Sequence, residues 1–272
     1  MNTRAILAII RKDLKVALQN KGVSLPIVIL PLILFVVMPW ILVYATSMTD
    51  LAGSSMSNVD ELLARMPEGL LNELSRYTLE QQMIVFSLVY MLAPMFLILP
   101  IMVSSVLAAD SFAGEKERKT LEALLYTPTS DRELFTAKLL GPWAAAVAVA
   151  LFSFVIYAVM VNVAGWQSIG QIFFPNWMWI ALVFWVTPAV AGLGLVVMVF
   201  VSARAQGFQD AYQTGGMIVL PVVALMIGQI SGVMYFSLGV VLLVGLVIWS
   251  IDLVLLRLAS KRLRRTEMMT QF

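Results

Sequence analysis

The chain contains no histidine and no cysteine. It therefore lacks the commonest general base, the usual zinc ligands and every thiol. Serine–histidine triads, zinc proteases and thiol enzymes are excluded on chemistry alone. No G-x-x-x-x-G-K-[ST] sequence occurs, so the chain has no phosphate-cradling loop of that kind with which to hydrolyse ATP. The residues left that could act are charged, and they cluster. One group runs from Glu115 to Glu122 and contains Glu115, Glu117, Arg118, Lys119, Thr120 and Glu122, with Leu121, Leu124 and Leu125 on one helical face. A second runs through Arg4, Arg11, Lys12 and Lys15. Asp252 stands apart, the one acid inside an otherwise apolar run. An acid in a membrane span is a functional candidate by default; a local ion pair with Arg257, or snorkelling to the interface, is the plainer alternative. A presenilin-like protease would need two such acids.

These charges are placed by elements of an unusual composition. Of the 272 residues 61% are hydrophobic and 12% charged, with a mean hydropathy of +0.92. Soluble domains average about half apolar and a quarter charged. Six apolar runs reach the roughly 20 residues needed to cross about 30 Å of hydrocarbon as helix: 23–45, 83–107, 141–164, 177–201, 215–235 and 237–258. An all-α membrane protein is expected, because every backbone amide in lipid must be satisfied within its own helix.

Lysine and arginine set the orientation. Of the 18 basic residues, all but Arg65 and Arg76 fall before the first run, between the second and third, after the fourth, or at the end of the sixth and beyond it. By the positive-inside rule these regions are cytoplasmic, both termini included. The net charge of +2 gives no reason to expect nucleic acid. Residues 46–82 form the single long outer loop, with two short helical patterns. Asn58 and Glu61 resemble a capping box for the first, and Pro67 starts the second, with Leu70, Leu71 and Leu74 on one side.

Residues 5–18 put Ile6, Ile9, Ile10, Leu14, Ala17 and Leu18 on one helical face and Arg4, Arg11, Lys12 and Lys15 on the other. The pattern predicts a helix lying in the cytoplasmic headgroup layer rather than a cleaved signal peptide; a simple basic flank is the alternative. Between 108 and 140, Thr127-Pro128-Thr129 stops one helix. Ser130 and Glu133 form a capping box that starts the next, which runs through Lys138 into the third span. An ordered connector would look the same.

Glu115, Glu117, Thr120-Leu121-Glu122, Leu124-Leu125, Thr127-Pro128 and Lys138 resemble the inner-loop signature of ABC-2 type transporter permeases, the membrane subunits of one class of ATP-driven exporters. Lys119 departs from the pattern, since many relatives have glycine there. The resemblance implies a type V exporter-like fold with an N-terminal elbow helix, and a coupling helix in the 108–140 loop. Glu115, Glu117, Arg118, Lys119, Thr120, Leu121, Glu122, Leu124, Leu125 and Pro128 would form that docking element. It also implies separate ABC ATPase subunits carrying ATP and Mg, no cofactor in this chain, a second copy or sister permease, and a bacterial inner membrane. The charge-poor spans suggest an apolar or amphiphilic cargo; a stand-alone carrier or channel is the alternative.

Three further features carry two readings or a modest one. Gly228 and Gly232 form a G-x-x-x-G that permits close packing at a dimer seam or a softened turn. Pro94, Pro100, Pro188 and Pro221 are expected to kink their helices. Trp40, Trp166, Trp177 and Trp179 read as an interfacial aromatic belt.

Overall fold

The computed structural model describes residues 3–52, 68–120, 130–231 and 234–262. Among these every regular element is helical: α1 (Thr3–Gln19), α2 (Lys21–Thr46), α3 (Glu68–Leu74), α4 (Leu79–Glu117), α5 (Asp131–Ile169), α6 (Trp177–Arg204), α7 (Phe208–Gln229) and α8 (Leu238–Arg262). Six of them, α2 and α4 to α8, are long and apolar enough to cross a membrane. The Asn58–Met66 pattern, Pro67, Gly232 and the basic residues Arg264 and Arg265 lie outside the described residues.

The ends of the helices follow local chemistry. Ser130 accepts from the Glu133 amide while the Glu133 carboxylate accepts from the Ser130 amide, so the capping box read in the sequence starts α5. Thr78 and Gln81 make the same reciprocal pair at the start of α4. Asn20 caps α2 through the Gly22 amide. Gly170 ends α5 with φ at 69°, a left-handed geometry that glycine adopts without steric cost.

α4 and α6 form the centre. Within its most apolar stretch α4 is 78% buried and α6 61%, whereas α7 and α8 are each 17% buried. Small residues bring the two central helices together. A Cβ on Gly194 would lie 2.5 Å from Ser104 Oγ and 2.9 Å from the Ile101 carbonyl, and Ser105 Oγ donates to the Gly194 carbonyl. Close backbone approach of this kind is how helices associate where lipid removes most of the hydrophobic driving force. Trp179 is the hub of an aromatic cluster, with ring centroids 5.3 Å from Phe96, 5.1 Å from Tyr157 and 5.0 Å from Phe174. It is fully buried, so it belongs to the core and not to an interfacial belt. Trp40, Trp166 and Trp177 are exposed on the flanks.

Two other expectations are adjusted. α4 does not stop near residue 107 but continues to Glu117. At 39 residues it is about 58 Å long at 1.5 Å per residue, and so outreaches the hydrocarbon layer. On α1, Ile6, Ile9 and Ala17 are buried as the pattern required, but Leu18 is exposed and Asp13 takes a buried place on the same face.

Candidate functional site: the ionic clasp at the end of α4

The prolonged end of α4 carries Asp110, Glu115, Lys116 and Glu117, of which Asp110 and Glu115 are buried. Glu115 is 3% exposed. Its carboxylate accepts from Lys12 Nζ of α1 at 2.5 Å and from Lys138 Nζ of α5 at 2.5 Å. Lys138 also donates to the Ser111 carbonyl at 2.6 Å, and lies 3.8 Å from Asp13. Ser111 Oγ donates to Asp13, and Lys12 lies 3.1 Å from the other Asp13 oxygen. Two ammonium groups thus face two carboxylates, so the cluster is neutral as a whole. That balance is what makes burial tolerable, because an uncompensated buried charge costs several kcal/mol.

The next turn of α4 reaches the opposite side. Lys116 Nζ donates to the Ala205 carbonyl at 3.3 Å, and the Phe208 amide donates to Glu117 at 2.9 Å. Gly207, the residue before α7, offers no side-chain cap. Glu117 supplies one from outside, placing an anion on the positive end of the helix. Gly207 also leaves the room: a Cβ there would lie 2.6 Å from the Glu117 carboxylate. Arg118 turns back to Asp110, donating to its carboxylate at 3.0 Å and its carbonyl at 3.2 Å, with Asn20 on the same carboxylate oxygen.

Six consecutive side chains of this segment therefore divide by direction. Glu115 to Arg118 hold α1, α4, α5 and the α6–α7 turn as one body. Thr120 Oγ1 donates to the Glu115 carbonyl. Lys119 is exposed and has φ at 56°, a conformation that costs a side-chain-bearing residue about 1–2 kcal/mol and a glycine almost nothing. The glycine expected at this position in relatives is explained by that geometry. Within the charged stretch that the sequence reads as helical, α4 ends at Glu117, the chain turns at Arg118 and Lys119, and Thr120 is helical again. Leu121, Glu122, Leu124, Leu125 and Pro128 lie outside the described residues.

The environment of Lys12 sets its proton affinity. Burial alone would lower it, but the hydrogen bond and charge of Glu115, followed by Asp13, outweigh burial and raise it above the ordinary lysine value. Arg4, Arg11, Lys12 and Lys15 of α1 are all exposed, and Lys12 is set apart by its ammonium group reaching the buried Glu115 carboxylate.

A family model described as an ABC-2 family transporter protein matches residues 7–259. The chain belongs to that family. No curated protein and no solved structure matches it. The match runs through α1 and all six spanning helices, so this multi-pass membrane protein is an ABC-2 permease over nearly its whole described length. The permease has no group of three or more acids among the described residues that could hold a metal ion.

Two of the candidate acids were placed differently by sequence reasoning. Glu115 was expected as a polar surface contact and is buried; its partners are 103 and 23 positions away, beyond the reach of any local pattern. Asp252 was expected to pair with Arg257 or reach the interface. It is 1% exposed, neither carboxylate oxygen has a hydrogen-bond partner, and it sits against Gly192 of α6, where a Cβ would come within 2.8 Å. Gly228 lies at the outer end of α7, half-buried, with nothing nearer than Met234 Cβ at 3.9 Å from its notional Cβ.

Proposed function

We propose that this permease is the membrane subunit of an ATP-driven exporter, working as a pair with a second copy or a sister permease on separate ABC ATPase subunits. Both termini and the clasp face the cytoplasm of a bacterial inner membrane. ATP and Mg are bound by the ATPases alone. The docking element is the segment that begins at Lys119 and runs through Leu121, Glu122, Leu124, Leu125 and Pro128. The observation that carries the reading is the clasp itself. Lys119, the first residue of that segment, follows directly on the point where four elements are tied to one another by charged hydrogen bonds. A push from the ATPases would be delivered to α4 and α5 together, and α1 would ride with them. That is a rigid-body device for alternating access, with the ATPase as the two-state driver. The cargo is apolar or amphiphilic, in keeping with spans so poor in charge.

Co-purification with the ATPase of the same transport system tests the reading. Wild type should bring the ATPase down and stimulate its hydrolysis, and reversal of charge at Lys119 and Glu122 should weaken both. If no ATPase associates with the wild type, the reading falls. If association survives the double reversal unchanged, the docking element lies elsewhere.

An ion-coupled carrier is the second reading, favoured by one observation: the buried, unpartnered carboxylate of Asp252 in α8. It requires transport driven by an ion gradient without any ATPase, and abolition of that transport by Asp252→Asn.

A further inference from the structure

The middle of α4 is open where an ordinary helix is closed. Residues Phe86–Met91 are wound as π-helix, and Pro94 follows. In an α-helix the Tyr90 carbonyl receives the amide of residue 94, four positions on; in a π-helix the Val89 carbonyl receives that same amide, five positions on. Residue 94 is proline and has no amide to give. Within α4 the Tyr90 carbonyl receives the Leu92 amide, two positions on, and both carbonyls take a donor from another span. Trp179 Nε1 of α6 donates to Val89 at 2.7 Å, and Gln229 Nε2 of α7 donates to Tyr90 at 2.5 Å. The hydroxyl of Tyr157, on α5, donates to the neighbouring Leu88 carbonyl. All three donors are buried.

We infer that Trp179 and Gln229 are positioning residues that replace the amide missing at Pro94, and that α4 hinges there. The helix is divided into a cytoplasmic lever ending in the clasp and an outer segment held by α5, α6 and α7. The holders are not equal. Trp179 and Tyr157 are fixed within the aromatic cluster. Gln229 stands on the loosely packed α7, and its own Oε1 is buried without a partner. A half-satisfied buried amide is the contact that gives most readily. Gln229 is the catch that releases when the lever swings.

This rests on the permease reading for the motion, but the stand-in itself can be tested without an ATPase. In the full chain in detergent, Gln229→Leu and Trp179→Phe should each lower the melting temperature. Pro94→Ala returns one amide, which can take one of the two carbonyls, so the loss from one of the two substitutions should be clearly smaller in the Pro94→Ala background than in wild type. Strictly additive losses would overturn the stand-in. The hinge is tested in the complex reconstituted with its ATPase. There Pro94→Ala should hold or raise the melting temperature and yet reduce stimulation of ATP hydrolysis several-fold; undiminished stimulation would overturn the hinge. A wild type that stimulates no ATPase would overturn the permease reading and, with it, the hinge's role in coupling, while the stability cycle still decides the stand-in.

Discussion

The permease clamps α4 twice, by opposite means. At the C-terminal end of α4 the clamp is ionic: Glu115, Lys12, Lys138 and Asp13 neutralise one another, and Glu117 caps α7. In the N-terminal half of α4 it is neutral: the Tyr157 hydroxyl, the Trp179 indole and the Gln229 amide each take a backbone carbonyl. The difference follows from the surroundings. Near the headgroups, charged side chains can reach water during folding, so ion pairs can form and re-form. In hydrocarbon a charge that lost its partner would be costly, so uncharged donors do the work. Charge also gives the clamp at the end of α4 a strong, directional hold, while neutral bonds can exchange. The largest test of this contrast is at Glu115. Glu115→Lys would place three ammonium groups together, and we expect it to abolish folded protein. Glu115→Gln leaves Lys138 buried and uncompensated, and should cost about 3–5 kcal/mol in thermal unfolding. If Glu115→Gln melts like wild type, the clasp is not holding the helices.

The outer clamp should respond more weakly and without charge. Tyr157→Phe removes only the hydroxyl and leaves the Leu88 carbonyl without that donor, for an expected loss of about 1–2 kcal/mol. Salt separates the two regions further. Screening reaches the partly exposed Lys12–Glu115 pair, whose lysine side chain is 43% exposed, but not the buried hydroxyl. Between low and high ionic strength the penalty of Lys12→Met should therefore shrink, while that of Tyr157→Phe stays fixed. Equal salt dependence for both would remove the distinction drawn here.

The two clamps also differed in how far the sequence announced them. The spans, the Ser130–Glu133 box and the buried Ile6 and Ile9 were legible because each rests on periodicity or on residues within one turn. The continuation of α4 to Glu117 was not, because a charged stretch beyond an apolar run looks like a loop when the partners that neutralise it lie in α1 and α5. Pro94 announced a kink, but the π-helical winding before it left no signature. Nothing local marks Gln229 as the donor for Tyr90, 139 positions away. Trp179 was misplaced because a tryptophan at the start of a span has the same spacing in a belt as in a core. Asp252 failed for the converse reason: Arg257 is near in sequence, yet the helix turns the carboxylate towards Gly192.

Lys119 gives a smaller effect of opposite sign. Its φ of 56° strains a side-chain-bearing residue, so Lys119→Gly should stabilise the fold by up to about 1 kcal/mol, provided the added freedom of the unfolded chain does not cancel the relief. A loss of stability would mean that the lysine side chain holds something the backbone strain conceals. The same variant sharpens the comparison of clamps, because it relaxes the turn beyond Glu117 without touching any of the clasp's hydrogen bonds.

The smallest expected effect is the titration of the clasp. Lys12 has a raised proton affinity in the folded protein, so its contribution is fully present below the ordinary lysine value of about 10.4 and is lost as pH climbs through the raised value. The partial exposure of the side chain makes the loss modest. Melting temperatures followed from pH 8 to about 11 should fall more for wild type than for Lys12→Arg, whose guanidinium keeps its charge throughout. Tyrosine ionisation and general alkaline unfolding act on both proteins alike, so the difference between the curves isolates this one ammonium group. If the curves run parallel, the Lys12–Glu115 bond contributes nothing measurable to the fold, and the clasp reduces to Glu115, Lys138 and Asp13.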